Sequence, residues 1–366
     1  MSRVLNIIVV VIFSVMLLLP TVARLLRLNP MGQLDENRQL ATARPWRLDD
    51  LRPGSAFAKD WENYFNDHFG FRKLLIGCYR FSSFYFLRTL PDTAVVIGGS
   101  TKDGRWLYFN PSGSPVEIGF ESLLGKKPYT QAELVAIGAN LRQAMDLARR
   151  NGIKFAIAIC PDKQTIYPEF VPDKLRPNPG TKSRLDQFWA MAAGLRDVPL
   201  VDLRIPLRQA RNQTLLYYPT DTHWNTFGAF LGYQAVMKAL QTQDPTRESL
   251  SESAMRWKAT EPYTGDLVKM LGVPNVATVV PDWTEVFPTK EELRPSKHGK
   301  LLLLGDSFSG KMSPYFELHF EVVKTIYGGR SPGNLSFSQE LLDAEKPDVV
   351  VIEVLERIWT AQVVKR

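Results

Sequence analysis

The most uniform stretch of hydrophobic positions comes first. From Val4 to Ala23 the chain reads VLNIIVVVIFSVMLLLPTVA, 20 residues without a charge. As a helix rising about 1.5 Å per residue, this run would span roughly 30 Å, the thickness of a bilayer core. Arg3 precedes it and Arg24 and Arg27 follow, which does not fix an orientation. Two readings are open: an uncleaved signal anchor over residues 1–28, or a secretory signal cleaved after Thr21-Val22-Ala23. Pro20 and the length of the run favour the anchor, and either reading exports the rest of the chain. Residues 29–56 are polar and carry Pro30, Pro45 and Pro53, as suits a tether. From Phe57 to Leu90 the pattern turns helical and aromatic, with Gly70 expected to divide it into two helices. Trp61, Tyr64, Phe65, Phe69 and Phe71 are expected there as core.

Beyond Leu90 the pattern alternates. Short β-like runs stand at 94–98 (AVVIG) and 105–109 (RWLYF). Gln131–Arg150 has helical periodicity and leads into the apolar run 153–160, IKFAIAIC. A helix around Lys182–Arg196 precedes the short run Val198–Leu203, and LLYY at 215–218 leads to a helix carrying Phe230, Tyr233, Met237 and Leu240. Residues 301–304 (LLLL), 322–327 (VVKTIY) and 349–355 (VVVIEVL) read as strands. Continuous apolar strands alternating with helices predict an α/β domain over residues 57–366 with a mainly parallel sheet covered on both faces. No internal repeat is visible.

Composition narrows the function classes. The 366 residues are 45% hydrophobic and 23% charged, an ordinary globular balance. A net charge of +7 mildly favours an anionic partner. Basic and acidic residues are interleaved, so nucleic acid is not expected as a partner. Cys78 and Cys160 are too few for a disulfide framework or a cysteine zinc site. Both read as small core residues with free thiols. Four histidines leave little material for a metal cluster, and no metal or other cofactor is expected.

Open α/β sheets deliver reactive groups in loops at the carboxyl ends of their strands. One such loop follows Leu301–Leu304 and reads Gly305-Asp306-Ser307-Phe308-Ser309. Glycine allows the turn, and Ser307 with its own N–H can supply a nucleophile and part of an oxyanion hole. The second loop, Tyr217–Thr226, contains Asp221-Thr222-His223-Trp224-Asn225. In extended chain Asp221 and His223 project to one side, so the carboxylate can orient the imidazole. Asn225 or Thr226 can cap the following helix. Each loop has a bland reading, a polar turn and a structural histidine, yet each supplies what the other lacks. No Walker A or G-x-G-x-x-G sequence occurs. Ser309 in place of a second glycine argues against the G-x-S-x-G elbow.

A GDS serine with an Asp-x-His pair resembles the SGNH hydrolase superfamily, whose fold is a flavodoxin-like α/β/α sandwich. Here the Asp/His block precedes the serine block. That permuted order resembles the AlgJ/AlgX family of SGNH-like O-acetyltransferases, which decorate bacterial exopolysaccharides such as alginate. Tyr64-Phe65-Asn66-Asp67-His68-Phe69-Gly70, Gly104-Arg105-Trp106-Leu107-Tyr108 and the DTHWN block agree, over roughly residues 57–360. The resemblance implies Ser307 as nucleophile, His223 as base and Asp221 as its orienting acid. It also places Lys163, Trp224, Asp266, Glu353, Glu356 and Arg357 near the site. Of these, Lys163, Trp224, Asp266, Glu353 and Arg357 are expected to contact substrate. The chain stops soon after Ile352-Glu353-Val354-Leu355-Glu356-Arg357, so the anchored branch without a carbohydrate-binding module, AlgJ, is the nearer pattern.

The expectation is a periplasm-facing, inner-membrane-anchored transferase of acetyl groups onto an anionic or neutral exopolysaccharide. The resemblance implies an acetyl donor delivered by a multi-pass membrane O-acyltransferase. Two rivals remain open at this stage. One is a carbohydrate acetylesterase on the same serine, and the other is a non-catalytic assembly or glycan-binding protein.

Overall fold

The computed structural model describes residues 3–26, 40–52, 54–86, 94–101, 104–111, 119–259, 265–271, 284–288, 297–328 and 337–359. Pro30 and Pro53 of the expected tether, and the end of the aromatic stretch at 87–90, lie outside the described residues. The chain divides into two compact units: Met1–Thr93 with Lys269–Val276, and Ala94–Val268 with Ala277–Arg366.

The first unit holds α1 (Arg3–Leu25), α2 (Phe57–Asp67) and α3 (Arg72–Tyr85). The apolar N-terminal run is therefore helical. Side chains at 16, 17, 20, 21, 24 and 25 fall outside the description. Among the described residues no helix is long and apolar enough to cross a membrane. The break between α2 and α3 falls beside Gly70, where Phe71 takes a left-handed φ of 64°. The expected aromatic core is not found here. No residue of α2 is buried, Trp61 and Phe65 are 40% and 44% exposed, and Cys78 is exposed. The rings stack along their own helix, Phe57 on Trp61, Trp61 on Tyr64, and Phe65 on Phe69. Helical spacing created an aromatic face, but among the described residues no sheet in this unit covers it.

In the second unit the chain runs β1 (Val95–Thr101), β2 (Gly104–Phe109), α4 (Phe120–Leu123), α5 (Gln131–Arg150), β3 (Lys154–Cys160), α6 (Lys163–Ile166), α7 (Arg184–Ala192), β4 (Leu200–Asp202), α8 (Arg204–Ala210) and α9 (Thr226–Gln241). It continues with β5 (Met255–Ala259), the start of α10 (Asp266–Leu271, its residues from Lys269 on belonging to the first unit), β6 (Thr284–Pro288), β7 (Lys300–Gly305), α11 (Ser309–Phe316), β8 (Val322–Tyr327), α12 (Gln339–Glu345) and β9 (Val349–Leu355). Five strands form one sheet in the order β4-β3-β9-β7-β8, and every pairing in it is parallel. β1–β2 and β5–β6 are separate antiparallel pairs.

The sequence explains the layers. α5 starts at a capping box in which Thr130 accepts from Glu133 N–H and Glu133 accepts from Thr130 N–H. Its Ile137, Leu141, Ala144 and Ala148 form the buried stripe. Every residue of β9, and all of β3 after Lys154, is buried. Strands buried on both faces require cover on both sides. The edge strand β8 instead alternates exposed with half-buried positions. The central strands aim their carboxyl ends at one edge of the sheet, where the two motif loops meet.

Candidate active site

β7 ends at Gly305, and the turn Asp306-Ser307-Phe308 leads into α11. Asp306 is buried and ties this turn down. Its Oδ1 accepts the Phe308 N–H (2.9 Å), and its Oδ2 accepts the N–H of Leu355 at the end of β9 (2.9 Å). The Ser309 hydroxyl donates to the Asp306 carbonyl at 2.7 Å. Gly305 allows the fit, since a Cβ there would lie 2.7 Å from the Ser309 side chain and 3.1 Å from Glu353 Oε2. Ser307 is left exposed at the tip.

The second loop lies between α8 and α9 and closes on a bridge between Tyr217 and Trp224. Asn225 caps α9, its Oδ1 accepting the Gly228 N–H at 2.9 Å. The loop turns His223 toward the serine. Its Nε2 lies 2.7 Å from Ser307 Oγ, and its Nδ1 lies 2.6 Å from Asp221 Oδ1. This network assigns the ring proton to Nδ1 and makes Nε2 the acceptor of the serine proton. Asp221 also accepts the backbone N–H groups of His223 and Asp266, each at 2.9 Å. Burial opposes its charge, but the His223 contact and these N–H donors hold its carboxyl below the usual carboxylate range. The ring of His223 packs 4.9 Å from that of Phe308. Trp224 Nε1 donates to the Phe308 carbonyl at 3.1 Å, joining the two loops directly.

Thr222 and Asp266 complete the surroundings of the imidazole. Asp266 accepts both the Thr222 N–H (2.8 Å) and the Thr222 hydroxyl (2.6 Å). The same hydroxyl lies 3.2 Å from His223 Nδ1, and Asp266 Oδ2 lies 3.8 Å from it. Burial and the neighbouring Asp221 push the Asp266 carboxyl upward. Gly265 permits this approach, because a Cβ there would fall 2.1 Å from the Thr220 carbonyl oxygen. Asp221, His223 and Asp266 each offer a ligand-type atom, all within 4.8 Å of one another. In this arrangement those atoms are engaged with each other and with Thr222.

The three residues expected to react are thus brought into one line. Those expected to touch substrate are mostly placed elsewhere. Lys163, Trp224 and Glu353 are buried and face inward. Lys163 donates to the carbonyls of Tyr218, Pro219 and Asp221. Glu353 lies beneath the nucleophile turn, its Oε2 3.4 Å from Asp306 N. Burial and the nearby Asp306 push its carboxyl well up. Arg357, whose side chain is 11% exposed, pairs with Asp162. Neighbourhood to a motif along the chain does not tell whether a side chain aims into the cleft or the scaffold. Asp266 alone of the five remains at the rim, its side chain 34% exposed. Glu356 is also internal, accepting from Asp162 N–H (2.9 Å) and the Thr165 hydroxyl (2.7 Å). Sequence reading passed over the anchoring by Asp306 and the bridge by Thr222. The only signal for either was its place inside a motif.

The chain is similar to known proteins. The family described as an SGNH hydrolase-like domain, acetyltransferase AlgX, matches residues 105–353. The chain is 26% identical over 238 residues to a probable alginate O-acetylase AlgJ of Pseudomonas syringae pv. tomato, covering 65% of this chain and 55% of that one. It is 29% identical over 167 residues to the AlgJ of Pseudomonas putida, covering 46% and 40%. The chain therefore spans about half the length of the curated relatives it matches. Bacillus cereus PatB1, solved with a sulfonyl adduct, superposes with a TM-score of 0.50 at 12% identity, over 74% of this chain and 99% of that one. The last of these is a likeness of fold.

Proposed function

Because the chain belongs to the family of SGNH hydrolase-like domains of the acetyltransferase AlgX, we propose that it is a polysaccharide O-acetyltransferase working through an acetyl-serine. The observation that carries this reading is the line from Asp221 through His223 to an exposed Ser307, with contacts of 2.6 and 2.7 Å. Ser307 Oγ attacks the acyl carbonyl of the donor while His223 Nε2 takes its proton. The Ser307 N–H faces the developing oxyanion, and the leaving group departs with the proton from His223. A sugar hydroxyl, deprotonated by the same nitrogen, then attacks the acetyl-serine, forming the new ester and freeing Ser307. Positioned base catalysis contributes about 10²–10⁴-fold, and an oxyanion donor about 10²–10³-fold.

The names of the relatives support an exopolysaccharide acceptor such as alginate. Acetyl groups would reach Ser307 from a multi-pass membrane O-acyltransferase. The apolar run Val4–Ala23 is read as an inner-membrane anchor holding the domain in the periplasm, with residues 29–56 as tether. The exposure of most of its described side chains, such as Val4, Ile7 and Phe13, supports lipid contact. Membrane fractionation with N-terminal sequencing tests this, and a soluble protein beginning after Ala23 would replace the anchor by a cleaved signal.

The exposure of Ser307 keeps a second reading, acetylesterase, because water can reach the acyl group. The deciding experiment supplies p-nitrophenyl acetate with and without oligosaccharide acceptors and weighs the products by mass spectrometry. Acetylated sugar that disappears with Ser307→Ala supports transfer, and free acetate alone supports hydrolysis.

A further inference from the structure

We propose that Lys163 is a positioning residue of this site: its buried ammonium holds the backbone of Tyr218–Asp221 in the shape that sets Asp221 and His223 against Ser307. The side chain is 3% exposed, and its Nζ lies 3.0 Å from the Tyr218 carbonyl, 3.0 Å from that of Pro219 and 2.7 Å from that of Asp221. Three N–H donors meet three acceptors, all on the segment that delivers the acid and the base. A neutral amine has two N–H bonds, so the full set requires the charged form. The rings of Trp106 and Tyr108 flank the nitrogen at 5.6 and 5.2 Å and offer their faces to the cation.

The lysine is itself aimed by the sheet edge. It opens α6 immediately after β3, and its neighbour Asp162 pairs with Arg357 and donates its N–H to Glu356, both just beyond β9. The segment after β3 thus reaches the Tyr218–Asp221 backbone through this side chain, beside the Tyr217 hydroxyl that donates to the Pro161 carbonyl at 2.6 Å. Burial outweighs the opposing charges of Asp221 and Asp266 and, with Arg357, lowers the amine to about 7.

The inference rests on Ser307, His223 and Asp221 as the reacting groups. The test therefore measures Ser307→Ala alongside Lys163→Met and Lys163→Gln in the full chain. The probes are a fluorophosphonate and p-nitrophenyl acetate, with kcat and KM followed across pH and thermal melting recorded for each variant. Labelling of Ser307→Ala at the wild-type rate would remove the reading of the site. If that control is silent, Lys163→Met is expected to lower kcat by about 10–100-fold with KM little changed, the loss typical of misplaced reacting groups. Lys163→Gln, which keeps donors without the charge, should recover part of kcat. Wild-type kcat in a folded variant would overturn the proposal. So would failure of both variants to fold, which would make Lys163 a determinant of stability alone.

Discussion

His223 spends both ring nitrogens, one on Asp221 and one on Ser307, and each contact makes a different prediction. Losing the Ser307 hydroxyl removes a group at an exposed tip. Ser307→Ala should therefore abolish transfer and fluorophosphonate labelling while changing stability by no more than about 0.5 kcal/mol, read from denaturant melts. Activity above a few per cent in the purified variant would take the nucleophile elsewhere. Asp221→Asn keeps the shape of the side chain but removes the charge that favours imidazolium. The rate should fall by about 10²–10⁴. The stability due to Asp221 has its own sign. Its carboxyl is depressed in the fold, so the contribution is present above the unfolded pKa and is lost as pH falls toward the folded one. The line Asp221–His223–Ser307 was legible from sequence because GDS and D-x-H are patterns with a mechanism. Lys163 and Trp224 were legible only as neighbours. Nothing in one dimension distinguishes a lysine that reaches for substrate from one capped by three carbonyls.

At the scale of elements, the loops are held by close backbone approach and by buried acids. Gly265→Ala would drive a methyl group into the Thr220 carbonyl, where 2.1 Å is available. Asp266 would then withdraw from Thr222 and Asp221. We expect fluorophosphonate labelling to slow by about 10–100-fold while far-UV circular dichroism is unchanged. Wild-type labelling would show that the loop adjusts without cost. Glu356, just beyond β9, concerns pH and stability. Burial, then the nearby Asp162, raises its pKa from 4.5 to about 7. A raised carboxyl stabilises the fold below pH 4.5 and loses that contribution as pH climbs through 7, worth up to about 3 kcal/mol. Glu356→Gln keeps an acceptor for Asp162 and Thr165, so its melting temperature should vary less than wild type between pH 5 and 8. Parallel melting curves would sink this account. Most elements were legible in the sequence: the capped helix α5, the apolar runs of β3, β7 and β9, and the α9 stripe all lie where periodicity placed them. For α2 and α3 periodicity placed the helices but not their burial. It identifies an apolar face but not whether anything covers it.

For the molecule as a whole, the parallel sheet follows from strands that are apolar throughout, and the strand order does not. Each pairing is a tertiary choice among runs of similar composition, and only the coordinates show that β9 lies between β3 and β7. That placement governs the order in which the protein can be made. The strand at the middle of the sheet is the last to be synthesised. Before residue 349 emerges, β3–β4 and β7–β8 are two separate pairs, with no strand between them. Asp306 likewise waits for Leu355 before its second oxygen has a donor. A chain still in transit, or cut short by a premature stop, therefore carries Asp221, His223 and Ser307 without the strand that joins the two halves of the sheet.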